Sequence, residues 1–202
     1  MDLTDSPGAR PVRSREVVFE GRVWNVVRDV VDLGAAGEVT RDYIEHPGAV
    51  AVIALDEAER VVLVHQYRHP AGVVEWEIPA GLRDVDGEDP VTTAARELAE
   101  EAFVSADEWY RLAEVVTTPG SSSETIVVYL ARGLHEIPED ERHERDGEEL
   151  DMPIGWFPLV TVRDAILAGR LRNATLTIAV LAACAAKESG WRGLDRVGDG
   201  HA

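Results

Sequence analysis

The chain has 202 residues, 45% of them hydrophobic and 29% charged, which suits a globular protein of ordinary domain size and excludes a disordered one. Its formal net charge of -18, from 20 Lys and Arg against 38 Asp and Glu, excludes nucleic acid and anionic membranes as expected partners, because both demand positive protein charge. A single cysteine, Cys184, leaves no internal disulfide, and no run approaches the ~18 apolar residues that span a bilayer.

In chain order, residues 1–15 are polar with Pro and Gly, lack the apolar core of a signal peptide and read as a flexible tail. A soluble protein of the cytoplasm is the resulting expectation. Clusters of β-branched residues between Glu16 and Leu33, broken at Gly21, predict a hairpin or two strands. Gly34 to Gly37 makes a turn, and Thr40 to Glu45 reads as another strand. The wholly apolar Ala49 to Leu55 and the run Val61 to Tyr67, split by polar residues 56–60, read as a central hairpin. Glu75 to Pro79 is a short strand. Asp89 as N-cap and Pro90 at the first helical position then open a helix that runs to about Ala102. Strands at Leu112 to Thr117 and Thr125 to Ala131 follow, then a charged loop over residues 136–151 and a short strand at Trp156 to Leu159. Two helices close the fold, Val162 to Ala168 stopped by Gly169 and Ala174 to Glu188 stopped by Gly190. Cys184 lies in the second and is expected to be buried. Residues 191–202 read as a second flexible tail. Strands, a helix, strands and two helices, without repeat or linker, predict an α/β sandwich in one domain over residues 16–190.

The helix Pro90 to Ala102 carries the chemistry. Ala94, Ala95, Leu98 and Ala102 share an apolar face by helical spacing. Glu97, Glu100 and Glu101 share another, where each like-charged pair costs roughly 0.2–0.5 kcal/mol. Arg96 compensates only in part. A solvated acidic face is one explanation. A divalent cation is the other, since Mg²⁺ takes carboxylate and phosphate oxygens together.

Gly81, Glu88 and Arg96-Glu97-Leu98-x-Glu100-Glu101, with Arg96 eight residues beyond Glu88, closely resemble the Nudix box. The resemblance extends over roughly residues 16–188 and implies a Nudix-type α/β/α sandwich with a mixed sheet and N-terminal antiparallel strands. It implies a metal site in which Glu97 and Glu101 are the main ligands, Glu100 a further one, and the Ala80 carbonyl also faces the ion. Mg²⁺ is the implied cofactor, with Mn²⁺ as an alternative. Arg96 would orient the carboxylates, and Glu88 would brace the loop. Two departures stand out. Six residues separate Gly81 from Glu88 instead of five, with the extra residue near Asp86-Gly87. Phe103 occupies the place of the glycine that ends the helix in a left-handed conformation, which leaves that end open to question.

A second segment bears on substrate. Pro119 lies sixteen residues beyond Phe103, in Thr118-Pro119-Gly120-Ser121-Ser122-Ser123-Glu124, and this resembles the ADP-ribose pyrophosphatase group of the Nudix family. A plain Pro-Gly turn is the competing reading. Gln66-Tyr67-Arg68 and Glu75 to Gly81 resemble the same group. By that resemblance Arg68, Arg41, Glu77, Pro119 and Glu124 would contact substrate, although a surface salt bridge would equally account for Arg68. Trp24 would lie near adenine across a dimer interface or pack in the core. The catalytic base would come from Glu148 or Glu149 in the charged loop, acting with Glu101. The implied reaction is Mg-dependent hydrolysis of ADP-ribose to AMP and ribose 5-phosphate by a homodimer that exchanges its N-terminal strands. Another sugar nucleotide, a dinucleoside polyphosphate, or a non-catalytic Nudix-like ligand sensor are the rivals.

Overall fold

Three strands, β1 (Val12–Glu20), β2 (Asn25–Asp32) and β3 (Glu38–Glu45), form an antiparallel sheet in the order β1-β2-β3. The computed structural model describes residues 3–6, 8–145, 147 and 150–197. Its chain divides into two units, one built on residues up to Pro47 with Val116–Glu124, the other on Gly48–Val115 with residues from Thr125 onward.

In the first unit β1 starts at Val12, inside the segment read as a tail, because its register with β2 pairs Val12 with Val31 and Ser14 with Val30. Asp29 is the buried polar group of this sheet. Arg15 grips it through both Nε and Nη2 at 2.9 Å, and the Tyr43 hydroxyl donates to it at 3.1 Å. The hydrogen bonds from Arg15 hold the Asp29 carboxyl below the usual carboxylate range, against the opposing pull of burial.

The second unit begins with β4 (Ala49–Ala54), buried at all six positions. It lies parallel to β9 (Thr125–Glu136) and antiparallel to β7 (Ala80–Leu82), in a five-stranded mixed sheet ordered β11-β8-β9-β4-β7. β5 (Arg60–Arg68) instead joins β6 (Val73–Glu77) and β10 (Ile154–Pro158) in a separate antiparallel sheet. The central hairpin expected from β4 and β5 is therefore corrected: a single bridge, Leu55 to Val61, joins them. A strand apolar on both faces demands cover on both sides, which leaves open the strands that pair along its edges, and those of β4 are taken by β9 and β7. Ala49, Ala51 and Ile53 pack into one core with α2 (Leu159–Leu167) and α3 (Ala174–Glu188). Val50, Val52 and Ala54 pack into another with α1 (Pro90–Ala102). The outcome is the α/β/α sandwich that the sequence predicts.

Two strands, β7 and β11, escape the sequence reading, and β8 is read only in its second half. β8 (Val104–Val116) starts eight residues before the expected Leu112, its early part disguised by Ser105, Asp107 and Glu108. β11 (Asp195–Val197) lies within the segment read as a C-terminal tail and pairs with β8 at Trp109 to Arg111. Among the described residues no helix is long and apolar enough to cross a membrane. Cys184 is half-buried, and burial pushes its thiol above the ordinary range.

A carboxylate whose folded pKa is depressed adds stability above its unfolded pKa, and that stability is lost as pH falls through the folded value. Asp29→Asn is expected to lower the melting temperature at neutral pH and to flatten the acid loss of stability below about pH 4. Thermal melts recorded across the acid range check this, and superimposable curves would show that the Arg15 pair contributes nothing.

Candidate active site

The site is built where β6, β7 and α1 meet. β7 is pinned to β4 by the pairing of Ala80 with Ala51, and the Val52 amide donates to the Pro79 carbonyl at 2.8 Å. The chain then turns into α1, whose start is capped as the sequence predicts: Asp89 accepts from the Val91 amide at 3.0 Å and Pro90 is the first helical residue. The extra loop residue is absorbed by a turn in which the Glu88 amide donates to the Val85 carbonyl and Gly87 takes a φ of 78°. Ala94, Leu98 and Ala102 press α1 onto the sheet. This packing brings Glu97 against Gly81. A Cβ on Gly81 would lie 2.1 Å from the Glu97 carboxyl carbon, so only glycine leaves room for that carboxylate.

Glu97 and Glu101, one helical turn apart, are 9% and 4% exposed, unusual burial for two ionisable groups. Arg96 Nη1 donates to Glu97 at 2.8 Å and to Glu100 at 3.4 Å, and its Nη2 stands 3.5 Å from Glu88. Burial lowers the Arg96 pKa, but the fields of Glu97, Glu100 and Glu88 outweigh it and the guanidinium is held more firmly charged. Glu88 also accepts from the Thr93 hydroxyl at 2.7 Å, the bracing contact expected of it. Glu101 accepts from the Ala80 amide at 2.9 Å. Arg68 pairs with the buried Glu77 through Nε and Nη2, both at 2.8 Å. That pairing is the main cause of a raised Arg68 pKa, to which Glu101 and Glu75 add their fields. Arg68 is thus both a salt-bridge partner and a neighbour of the carboxylate helix, with its Nη1 edge unbound among the described residues.

The helix end resolves the question set by Phe103. Phe103 adopts the left-handed conformation, φ 57° and ψ 39°, and its amide donates to the Ala99 carbonyl at 3.1 Å. That conformation costs a residue with a Cβ about 1–2 kcal/mol. Its ring carries two guanidinium groups, Arg145 at 4.3 Å and Arg142 at 4.8 Å from the ring centre. Each such contact is worth about 0.5–2 kcal/mol, enough to offset the strain. Arg145 also donates to the carbonyls of Glu100 and Glu101, at the negative end of α1, and to the Met152 carbonyl at 2.8 Å. Sequence reasoning missed Arg142 and Arg145, because their role depends on a fold-over of the charged loop that no local pattern signals.

Other expected residues lie in the first unit. Arg41 and Pro119 line a cavity of about 410 Å³ together with Tyr43 and Ser121 to Ser123. Glu124 accepts from the Thr117 hydroxyl at 2.6 Å and stands 3.6 Å from the His46 ring nitrogen. Trp24 is 40% exposed beside Phe19, with ring centres 6.4 Å apart, so it does not pack in the core. Glu148 and Glu149, the expected bases, lie outside the described residues.

The donor set fits a hard divalent cation. Ionised carboxylates only accept, and two of them are buried on one turn of α1 over a glycine cradle. Among the described residues no three His, Cys, Asp or Glu side chains are already gathered at ligand spacing. Arg96 holds Glu97 and Glu100, while the Ala80 amide holds Glu101.

The model of the NUDIX domain matches residues 45–177. An ADP-ribose pyrophosphatase of Mycobacterium tuberculosis is 43% identical over 169 residues, 84% of this chain and 80% of that protein. Another, from Bacillus subtilis, is 35% identical over 136 residues, 67% of this chain and 72% of its own. A solved structure titled as an ADP compounds hydrolase superposes with a TM-score of 0.74 at 22% identity, covering 93% of this chain and 99% of that one, a likeness of fold.

Gly81→Ala tests the close approach. The added methyl group must displace the Glu97 carboxylate, so catalytic turnover is expected to fall about 100-fold, the cost of misplacing a reacting group by about 1 Å. Circular dichroism should be unchanged, and full turnover would show that Glu97 need not sit where it does.

Proposed function

We propose a substrate for this chain, which belongs to the NUDIX family and is a Nudix hydrolase: ADP-ribose, cut at its pyrophosphate to AMP and ribose 5-phosphate. The observation that carries this reading is the pair of buried carboxylates Glu97 and Glu101 held over Gly81, with Arg68 close enough for its charge to respond to Glu101. The 43% identity to an ADP-ribose pyrophosphatase across most of the chain supports the choice of substrate. Nudix hydrolases work with divalent metal ions, and Mg²⁺ is the ion proposed here, with Mn²⁺ as an alternative. Glu97, Glu100, Glu101 and the Ala80 carbonyl would hold it. When bound, such an ion polarises phosphate oxygens and makes water more acidic.

The chain's own groups account for the rest. Water oxygen attacks one phosphorus, the bridging P–O bond breaks, and the bridging oxygen leaves with the other phosphate. Glu148 or Glu149 is the proposed acceptor of the water proton. Arg96 keeps the Glu97 and Glu100 carboxylates oriented. Arg68, fixed by the fork to Glu77, offers its Nη1 edge to a phosphate oxygen. Arg41 and the Pro119 turn, which line one cavity, are proposed contacts for the sugar or nucleotide. The cytoplasm is the proposed compartment, in keeping with a lone half-buried cysteine.

A homodimer is proposed for the same protein. Val17, Phe19, Val23 and Trp24 are 52%, 57%, 53% and 40% exposed in the β1–β2 hairpin, an apolar patch that suits a second copy. Phe19→Glu is expected to shift the protein from dimer to monomer in light scattering behind size exclusion. A wild-type protein already monomeric at high concentration removes the proposal.

Turnover of ADP-ribose with and without Mg²⁺, with an EDTA control and both products quantified, tests the reaction. Metal-dependent release of AMP and ribose 5-phosphate is expected. Glu101→Gln should cut turnover roughly 100-fold or more, the order of a lost transition-state electrostatic contact, with the fold retained. Wild-type activity in that variant would remove Glu101 from the site, and no release by the wild type would redirect the search to other nucleoside diphosphate derivatives.

A further inference from the structure

The end of α1 holds more than a helix cap. One guanidinium, that of Arg145, reaches three carbonyls on two segments: Glu100 and Glu101 at the last turn of α1, and Met152 seven residues further along its own loop. Nε, Nη1 and Nη2 each serve a different carbonyl, a geometry that the planar fork permits and a lysine ammonium does not reproduce. The Arg145 guanidinium carbon lies 4.3 Å from the centre of the Phe103 ring, and that of Arg142 lies 4.8 Å from the same centre. Met152 is itself buried, so its carbonyl is a fixed anchor. Both ends of the chain from residue 145 to residue 152 are thereby tied to the helix that carries Glu97, Glu100 and Glu101.

We propose that Arg145 is a positioning residue for the reaction, locking the last turn of the carboxylate helix to the base of the adjoining acidic loop, and that Phe103 stands at the helix end because it is Arg145's platform. A glycine there would relieve the backbone but leave the guanidinium without a surface to lie on. The carbonyls of Glu100 and Glu101 belong to the residues whose side chains face the reaction, so a loosened last turn shifts those carboxylates directly. Arg145 touches no substrate in this scheme and acts through the position of its neighbours.

For its kinetic readout this inference rests on the ADP-ribose hydrolysis proposed above. Arg145→Ala, Arg145→Lys, Phe103→Gly and the Phe103→Gly/Arg145→Ala pair are compared with the wild type. Arg145→Ala is expected to lower kcat about 10- to 100-fold with KM within about twofold, the signature of misplaced catalytic groups rather than lost binding. Arg145→Lys should fail to restore kcat, and the double variant should be no slower than Arg145→Ala, since the two residues act as one unit. Hydrogen exchange supplies a measurement that needs no substrate. Amides 101–104 should exchange faster in Arg145→Ala and Phe103→Gly than in the wild type, while those of β4 stay protected. Wild-type kcat in Arg145→Ala, full rescue by lysine, or unchanged exchange at the helix end overturns the proposal. A wild type that ignores ADP-ribose overturns the substrate reading alone, and the exchange data then decide the role of Arg145. Should Arg145→Ala fail to fold, Arg145→Lys and Phe103→Gly carry the same comparison.

Discussion

The approach of Glu97 to the backbone at Gly81 is the constraint on which the candidate site depends. Burying a carboxylate is costly unless its partners are in place, and here the partners come from three directions. Arg96 supplies charge from the same helix, the missing Cβ of Gly81 supplies space, and the sheet supplies rigidity through the pairing of β7 with β4. None of these suffices alone. Without the small face of Ala94, Leu98 and Ala102, α1 would stand off the sheet, and Glu97 would reach water instead of the glycine. The acidic face that opposes formation of an isolated helix is tolerated because tertiary packing, not helix propensity, fixes this helix.

The opposite end of α1 meets a different demand with the same economy of parts. A helix leaves its last carbonyls without partners, and a glycine in the left-handed region is the common way to turn the chain there. This chain uses a phenylalanine and recovers the strain through two arginines from a distant loop. The helix is thus bounded by an aspartate at its start and by cationic groups at its end, an arrangement that complements its dipole at both ends.

Helix boundaries were the most legible part of the sequence, and for a physical reason. Asp89 and Pro90 at the start of α1, and Gly190 after Glu188, are local signals that act within a turn and stand where the helices begin or end, whereas α2, expected from Val162, begins at Leu159 without such a signal. The shared face of Glu97, Glu100 and Glu101 was legible too, because spacing along a helix fixes which side chains meet, while the parts of Arg96 and Glu88 followed from the resemblance alone. Strand pairing was not. The runs Ala49 to Leu55 and Val61 to Tyr67 are apolar on both faces, and such runs carry no register, so their membership of different sheets was hidden. β8 was obscured by Asp107 and Glu108, which fall on both of its faces and break the apolar alternation, and β11 by its shortness. Arg145 was invisible for a third reason: its partners are backbone carbonyls, and any residue supplies those.

An acidic protein that acts on an anionic substrate must separate its long-range field from its local one. At physiological ionic strength charges further apart than about 8 Å are largely screened, so the net charge of -18 governs solubility more than recognition. Within that range Arg68 and Arg96 stand among the carboxylates of α1 and β6. Both are committed in part to protein partners, which fixes their geometry, and for Arg68 it does so ahead of the phosphate contact proposed for it. The pairing of Arg68 with Glu77 weakens its attraction for an anion but removes the entropy cost of ordering a long side chain on binding. In the role proposed for Arg68, a guanidinium held at two of its nitrogens and, among the described residues, open at the third is a poor trap for stray anions and a good template for one phosphate oxygen in one place. Discrimination by position rather than by net attraction is what a strongly acidic chain requires of the arginines it sets among its carboxylates.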